Sequence, residues 1–107
     1  MTLPLSLAPE VAQARAAGRP LVALESTIIT HGMPFPQNLD MARAVEDAVR
    51  AGGAVPATIA VMEGAIHVGL TPDRLEALAR SPEARKLSRA DLAHCLLTGE
   101  TGATTVA

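Results

Sequence analysis

Four places in this 107-residue sequence carry residue types that could do chemistry: Glu25, His31, Lys86 and the stretch 102–106. Glu25 ends the apolar run LVAL and is followed at once by Ser26 and Thr27. A carboxylate brought to a cleft by an apolar strand is desolvated, and desolvation raises its pKa toward the range of a general acid. Proton donation needs that rise, because only about 0.2% of a Glu at its ordinary pKa of ~4.3 is protonated at pH 7. The plainer alternative is a strand-end carboxylate that accepts nearby backbone N–H groups or faces water. His31 lies in the same segment and could orient a substrate, share a proton with Glu25, or simply brace its loop.

Lys86 is the one lysine in a chain that otherwise uses Arg, at eight positions, for positive charge. An ammonium binds phosphate as a point charge or, deprotonated, attacks a carbonyl, and a guanidinium does neither in the same way. An ordinary solvated lysine fits the same position. Residues 102–106, G-A-T-T-V, read as the start of a helix, whose backbone N–H groups and positive dipole end suit an anion. A plain helix start is the alternative. The stretch is not the phosphate loop GxxxxGK[ST], and GxGxxG occurs nowhere. His67 and His94 lack metal-ligand spacing and read as structural.

These residues must be positioned by elements that the apolar pattern announces. Residues 6–17 read as a first helix, started by Ser6 or Pro9 and closed by Gly18. Residues 21–26 read as a strand buried on both faces, as in a parallel sheet, with ligands expected at its carboxyl end. A loop over 31–37 follows, held extended by two prolines. Asn38 then reads as the N-cap of a helix over 39–51 that stops at Gly52-Gly53.

Residues 54–62 form the next strand, which makes a βαβ unit with parallel strands. Glu63-Gly64 is a two-residue hairpin turn into the apolar run 65–70. Thr71 caps a helix whose first residue is Pro72 and whose buried stripe is Leu75, Leu78 and Ala79. Residues 86–88 are extended, and Ser88 caps a helix over 89–97 closed by Gly99.

Composition bounds the function. With 49% apolar residues and a net charge of -2, the chain is one globular domain with no basic stripe for nucleic acid. Twenty-one residues are Ala, Phe35 is the only aromatic residue, and Cys95 has no cysteine to pair with. A core of such small side chains is thin and suggests that a further surface covers it. No window reaches the ~18 apolar residues of a membrane span, and MTLPLSLAPEV is not a secretory signal. A cytoplasmic protein is expected.

Taken together, ALESTIITHGMPFPQN, GGAVPATIAV, KLSRADL and TGATTVA resemble the pseudouridine-5'-phosphate glycosidases, the indigoidine synthase A-like family. The resemblance covers residues 20–107 in the family's order. It implies an α/β/α fold of which residues 1–107, containing the βαβ unit, are a single incomplete N-terminal part. It implies reversible cleavage of pseudouridine 5'-phosphate to uracil and ribose 5-phosphate, with Mn²⁺ and a homotrimeric assembly.

Residue by residue, the resemblance makes Glu25 the proton donor and Lys86 and Val106 substrate-binding residues. His31 is not carried over from the resemblance and stands, from the residues alone, as a candidate substrate-proximal residue. The lysine that forms a Schiff base and the aspartate that binds the metal belong to sequence beyond residue 107, so no metal ligand is expected within this chain. The chain alone is expected to be inactive. The alternative is a non-catalytic module that binds a phosphorylated sugar or a partner chain.

Overall fold

The structure, a computed structural model, describes residues 4–105. In chain order its elements are β1 (Leu5–Leu7), α1 (Pro9–Ala16), β2 (Leu21–Leu24), α2 (Thr27–His31), α3 (Gln37–Ala51), β3 (Val55–Met62), β4 (Ala65–Val68), α4 (Pro72–Arg80), β5 (Arg85–Leu87), α5 (Leu92–Thr98) and β6 (Gly102–Thr104). A 3-10 turn, Arg89–Asp91, leads into α5.

The βαβ unit forms as the pattern predicts: β2 and β3 are parallel, with Leu21 opposite Val55 and Leu24 opposite Thr58. The second half of β3 turns back into β4 through Glu63 and Gly64, both at positive φ (53° and 74°), the geometry of a tight two-residue hairpin. β1 adds parallel to β4, β6 adds antiparallel to β3, and β5 adds parallel to β6. The result is one mixed sheet in the order β1-β4-β3-β6-β5, with β2 also on β3.

Alternation along β3 sends Ala60 and Met62 to one face and Val61 to the other. Ala60 and Met62 meet Ile29 of α2, Leu39 and Ala42 of α3, and the Leu75, Leu78 and Ala79 stripe of α4. Val61 meets Leu87 and Cys95, with Leu92 and Leu96 of α5 packed beside them. Helices thus cover both faces, which is the α/β layering expected. Thr71 caps α4 by accepting from the Arg74 N–H at 3.3 Å. Gly99 ends α5 in the left-handed conformation, at φ 76°.

Several expectations need correction. Ser6 and Leu7 are in β1, and the helix starts at Pro9. The Ala8 N–H donates to Val68 O and the Ile66 N–H to Pro4 O, so pairing with β4 claims these residues first. Residues 27–31, which run from the end of the strand expected over 21–26 to the start of the loop expected at His31, are helical, because the Ile29 and Thr30 N–H groups donate to Ser26 O and Ile29 is buried in the core.

Asn38 is not an N-cap. α3 begins one residue earlier, and the buried Asn38 amide donates to Ile29 O (2.9 Å) and Ala79 O (2.8 Å), tying α2 and α4 to α3. Residues 102–104 are strand β6 rather than a helix start, so the dipole argument for an anion there does not hold. β2 is exposed along most of its length rather than buried on both faces. Only β3 pairs with it among the described residues.

Candidate functional site

The carboxyl end of β2 meets the carboxyl end of β6. Along β3, β2 pairs as far as Thr58 and β6 pairs from Ala60, so the two shorter strands approach end to end at Ile59. Ile59 O has no ladder partner from either of them. It accepts instead from the hydroxyls of Ser26 (2.7 Å) and Thr104 (2.8 Å). Ser26 Oγ also accepts from the Thr104 N–H at 2.9 Å, and the Ser26 N–H donates to Thr104 O at 3.1 Å. Ser26 is fully buried at this junction.

Glu25 directly precedes Ser26, so the junction fixes where the carboxylate starts. The side chain stands at the rim of an open groove of about 160 Å³, with Leu24, Ile28, Met41, Val45 and Thr58. Glu25 itself is exposed, and its carboxylate has no hydrogen-bond partner among the described residues. The desolvation expected for it is not supplied by these residues. The groove is apolar, so the chemistry of a sheltered carboxyl is available only where another surface closes over it.

His31 ends α2. Its Nδ1 lies 2.6 Å from the Thr30 hydroxyl, and the ring is exposed. It and Glu25 are not hydrogen-bonded among the described residues.

Lys86 is in β5, opposite Ala103, which in turn is opposite Ala60. Residues in register across a sheet share a face, which puts Lys86 on the side of the sheet that α2, α3 and α4 cover. It is exposed and makes no ion pair among the described residues, whereas its neighbour Arg85 is bonded to Glu100 at 3.0 Å. Leu87, next to Lys86, stands opposite Thr104. Glu25 and Lys86 are therefore each one residue away from a partner of Thr104, although no contact joins them directly. Val106, the third residue the resemblance singles out, lies outside the described residues.

The Ser and Asp of KLSRADL have a structural task. Asp91 Oδ2 accepts from the Ser88 hydroxyl (2.8 Å) and N–H (3.1 Å), a reciprocal cap at the start of the helical turn. These bonds hold the Asp91 carboxyl below the usual carboxylate range. His67 is buried and is bonded through Nε2 to Met62 O at 3.1 Å, while His94 is exposed beside Glu100. The bond ties His67 into the β3–β4 hairpin.

A larger groove of about 450 Å³ lies elsewhere, between α1, α3 and the start of α4. Four of its charged residues, Glu10, Glu46, Asp47 and Arg50, are already engaged with one another, whereas Arg43 has no ion pair among the described residues. Arg50 donates twice to Glu10 at 2.8 Å and once to Asp47 at 2.8 Å, and lies 3.4 Å from Glu46. The hydrogen bonds to Glu10 hold Arg50 above its ordinary pKa and Glu10 below its own. The buried Glu46 accepts from the Thr58 hydroxyl at 2.7 Å. None of the motif residues Glu25, Lys86 or His31 lines this groove, so size alone points away from the chemistry.

Sequence reading missed the Ser26, Ile59 and Thr104 junction, and the available signal was the pair of small hydroxyls just after Glu25 and just before Val106. Among the described residues no three His, Cys, Asp or Glu side chains form a metal site. The described residues alone do not supply the ligands of a manganese centre. Among the described residues no helix is long and apolar enough to cross a membrane.

The family described as Indigoidine synthase A like protein matches residues 10–107. The chain is 72% identical over 107 residues to the pseudouridine-5'-phosphate glycosidase of Jannaschia sp. (strain CCS1), covering all of this chain and 35% of that relative. It is 66% identical over 104 residues to the enzyme of the same name from Roseobacter denitrificans, covering 97% of this chain and 34% of the relative. The chain thus spans about a third of the length of the curated relatives it matches.

Among solved structures, it superposes with a TM-score of 0.83 and 42% identity on the prealnumycin C-glycosynthase AlnA, crystallised in complex with ribulose 5-phosphate. That match covers 100% of this chain and 34% of the other. An indigoidine synthase A-like protein from Thermotoga maritima matches with a TM-score of 0.81 and 27% identity, over 97% of this chain and 33% of the other.

Proposed function

Because this chain belongs to the indigoidine synthase A-like family, we propose that it supplies the proton donor and part of the sugar-phosphate site for cleaving pseudouridine 5'-phosphate to uracil and ribose 5-phosphate. The observation that carries the proposal is the junction of β2 and β6, which draws Glu25 and the segment leading to Val106 together across almost the whole chain. In cleavage the C–C bond between uracil C5 and ribose C1 breaks, C5 takes a proton, and water adds to C1. Glu25 is the donor of that proton. Lys86, an ammonium with no carboxylate partner among the described residues, is suited to a phosphate as a point charge.

The exposure of Glu25 sets a condition on this role. A carboxyl that donates a proton near neutral pH has to be sheltered from water, and a surface closing the apolar groove beside Ile28 and Val45 would provide that shelter. The nucleophilic lysine of the family chemistry, a manganese ion, a homotrimeric assembly and a cytoplasmic setting belong to the same proposal.

A second reading, a non-catalytic module that binds a partner chain, draws on the apolar residues exposed along β2. Uracil release separates the two. This chain is assayed alone and with the remaining two-thirds of the Jannaschia relative, with Glu25→Gln in parallel. Release in the mixture that is lost in Glu25→Gln supports the enzymatic reading. A complex that forms but releases no uracil favours the binding module, and undiminished release with Glu25→Gln removes Glu25 from the donor role.

A further inference from the structure

We propose that Ser26 and Thr104 are positioning residues: their hydroxyl clasp on Ile59 O holds Glu25 at a fixed place beside the segment that leads to Val106. This rests on the reading of Glu25 as proton donor and goes beyond it, because neither hydroxyl has a role in that chemistry. Where β2 ends and β6 begins along β3, a carbonyl in the middle of a central strand loses its ladder donors, and a buried backbone carbonyl without a partner is costly. Two hydroxyls fill the gap. Each has one O–H to give, and each gives it to Ile59 O.

Ser26 then uses a lone pair to accept the Thr104 N–H, and its own N–H goes to Thr104 O. These four bonds lock the two strand ends to one another as well as to β3. The lock is specific to small hydroxyl residues. Alanine at position 26 removes both side-chain bonds and returns Ile59 O to a single donor. Valine at position 104 keeps the shape but loses the bond to Ile59.

The clasp also explains a contrast in burial. Ser26 is fully enclosed while Glu25, one residue earlier, is exposed, so the clasp anchors the chain beside the carboxylate while the Glu25 side chain stays uncovered. A donor held in this way is aimed without being bonded to a neighbouring side chain. Misplacement of about 1 Å at such a group can lower turnover roughly 100-fold.

Two readouts test this. In the chain as it is, backbone ¹⁵N relaxation is compared between wild type, Ser26→Ala and Thr104→Val. The order parameters of Glu25 and Thr105 are expected to fall in both variants while those of the β3–β4 hairpin stay unchanged, and Thr104→Ser is expected to restore them. In the chain completed by the remaining two-thirds of the Jannaschia relative, Ser26→Ala is expected to lower kcat by about 10- to 100-fold with KM changed far less.

Unchanged order parameters at Glu25 in the folded variants would overturn the proposal. So would wild-type kcat for Ser26→Ala beside an inactive Glu25→Gln. If Ser26→Ala does not fold, Thr104→Val, which removes one hydroxyl only, decides. A completed enzyme that keeps full activity with Glu25→Gln overturns the donor reading instead, and the order parameters still decide whether the clasp positions residue 25.

Discussion

The two sides of α3 differ sharply in what covers them. On one side Leu39 and Ala42 sit in the core with Ile29, Leu75 and the fully buried Leu78, and Asn38 bolts α2 and α4 to the helix. On the other, Val45 is 41% exposed, and Ile28, which lines the same groove, is 50% exposed. The residue types are the same. β2, with no polar alternation in L-V-A-L, has the pattern of a strand covered on both faces, yet it is exposed on both. An apolar pattern therefore reports what a segment is suited to bury, and the described residues bury only part of it.

The largest effect that distinguishes the two sides is in the core. Leu78→Ala is expected to lower stability by about 2 to 5 kcal/mol, through lost transfer free energy and the cavity left behind, and urea unfolding reads it directly. A loss below 1 kcal/mol would mean that the α4 side is as loosely packed as the β2 side.

A smaller effect comes from the pair that joins α1 to α3. The Arg50 guanidinium holds the Glu10 carboxyl below its ordinary value of 4.5, so the stabilisation is complete above that pH and is lost as pH falls through the lowered, folded-state value. Both side chains are substantially exposed, which limits the pair to roughly 0.2 to 1 kcal/mol and makes it sensitive to salt. Glu10→Gln should be less stable than wild type at pH 7, and the gap should close in acid. A gap that is constant with pH would contradict the ion-pair account.

The smallest effect belongs to the open side. Ile28→Ser and Val45→Ala should each change the stability of this chain by less than about 0.5 kcal/mol, while lowering its fluorescence with a dye that binds apolar surface. Destabilisation comparable to that of Leu78→Ala would show that these residues are already covered in solution.

What was legible in the sequence was local. The β2, α3 and β3 unit, the Glu63-Gly64 turn, the Thr71 cap and the Gly99 stop each rest on signals within a few residues, and all are present. The elements that were missed depend on distant partners. Leu5–Leu7 is too short to show alternation and is a strand because β4, some sixty residues later, pairs with it. Gly102–Thr104 has little strand character of its own and is a strand because it lies between β3 and β5. Thr27–His31 is rich in β-branched residues, and the burial of Ile29 against α3 and α4 outweighs that preference.

The site divides in the same way. Glu25 at the end of its strand was legible, since it needs only the run before it. Its exposure was not, because burial is decided by neighbours rather than by the run itself. Asn38 looked like a cap because its type suits one, and only the arrival of Ile29 O and Ala79 O makes it a bridge.

On the proposed reading, the ligand end of this chain is the meeting point of β2, β6 and β5 rather than the larger groove between α1, α3 and α4. The most direct test is an amide chemical-shift titration of the chain with ribose 5-phosphate at millimolar concentration. Shifts centred on Glu25, Lys86, Thr104 and Thr105 are predicted. Shifts centred instead on Arg43, Arg50 and Thr71 in the larger groove, or no shifts at all, would contradict it.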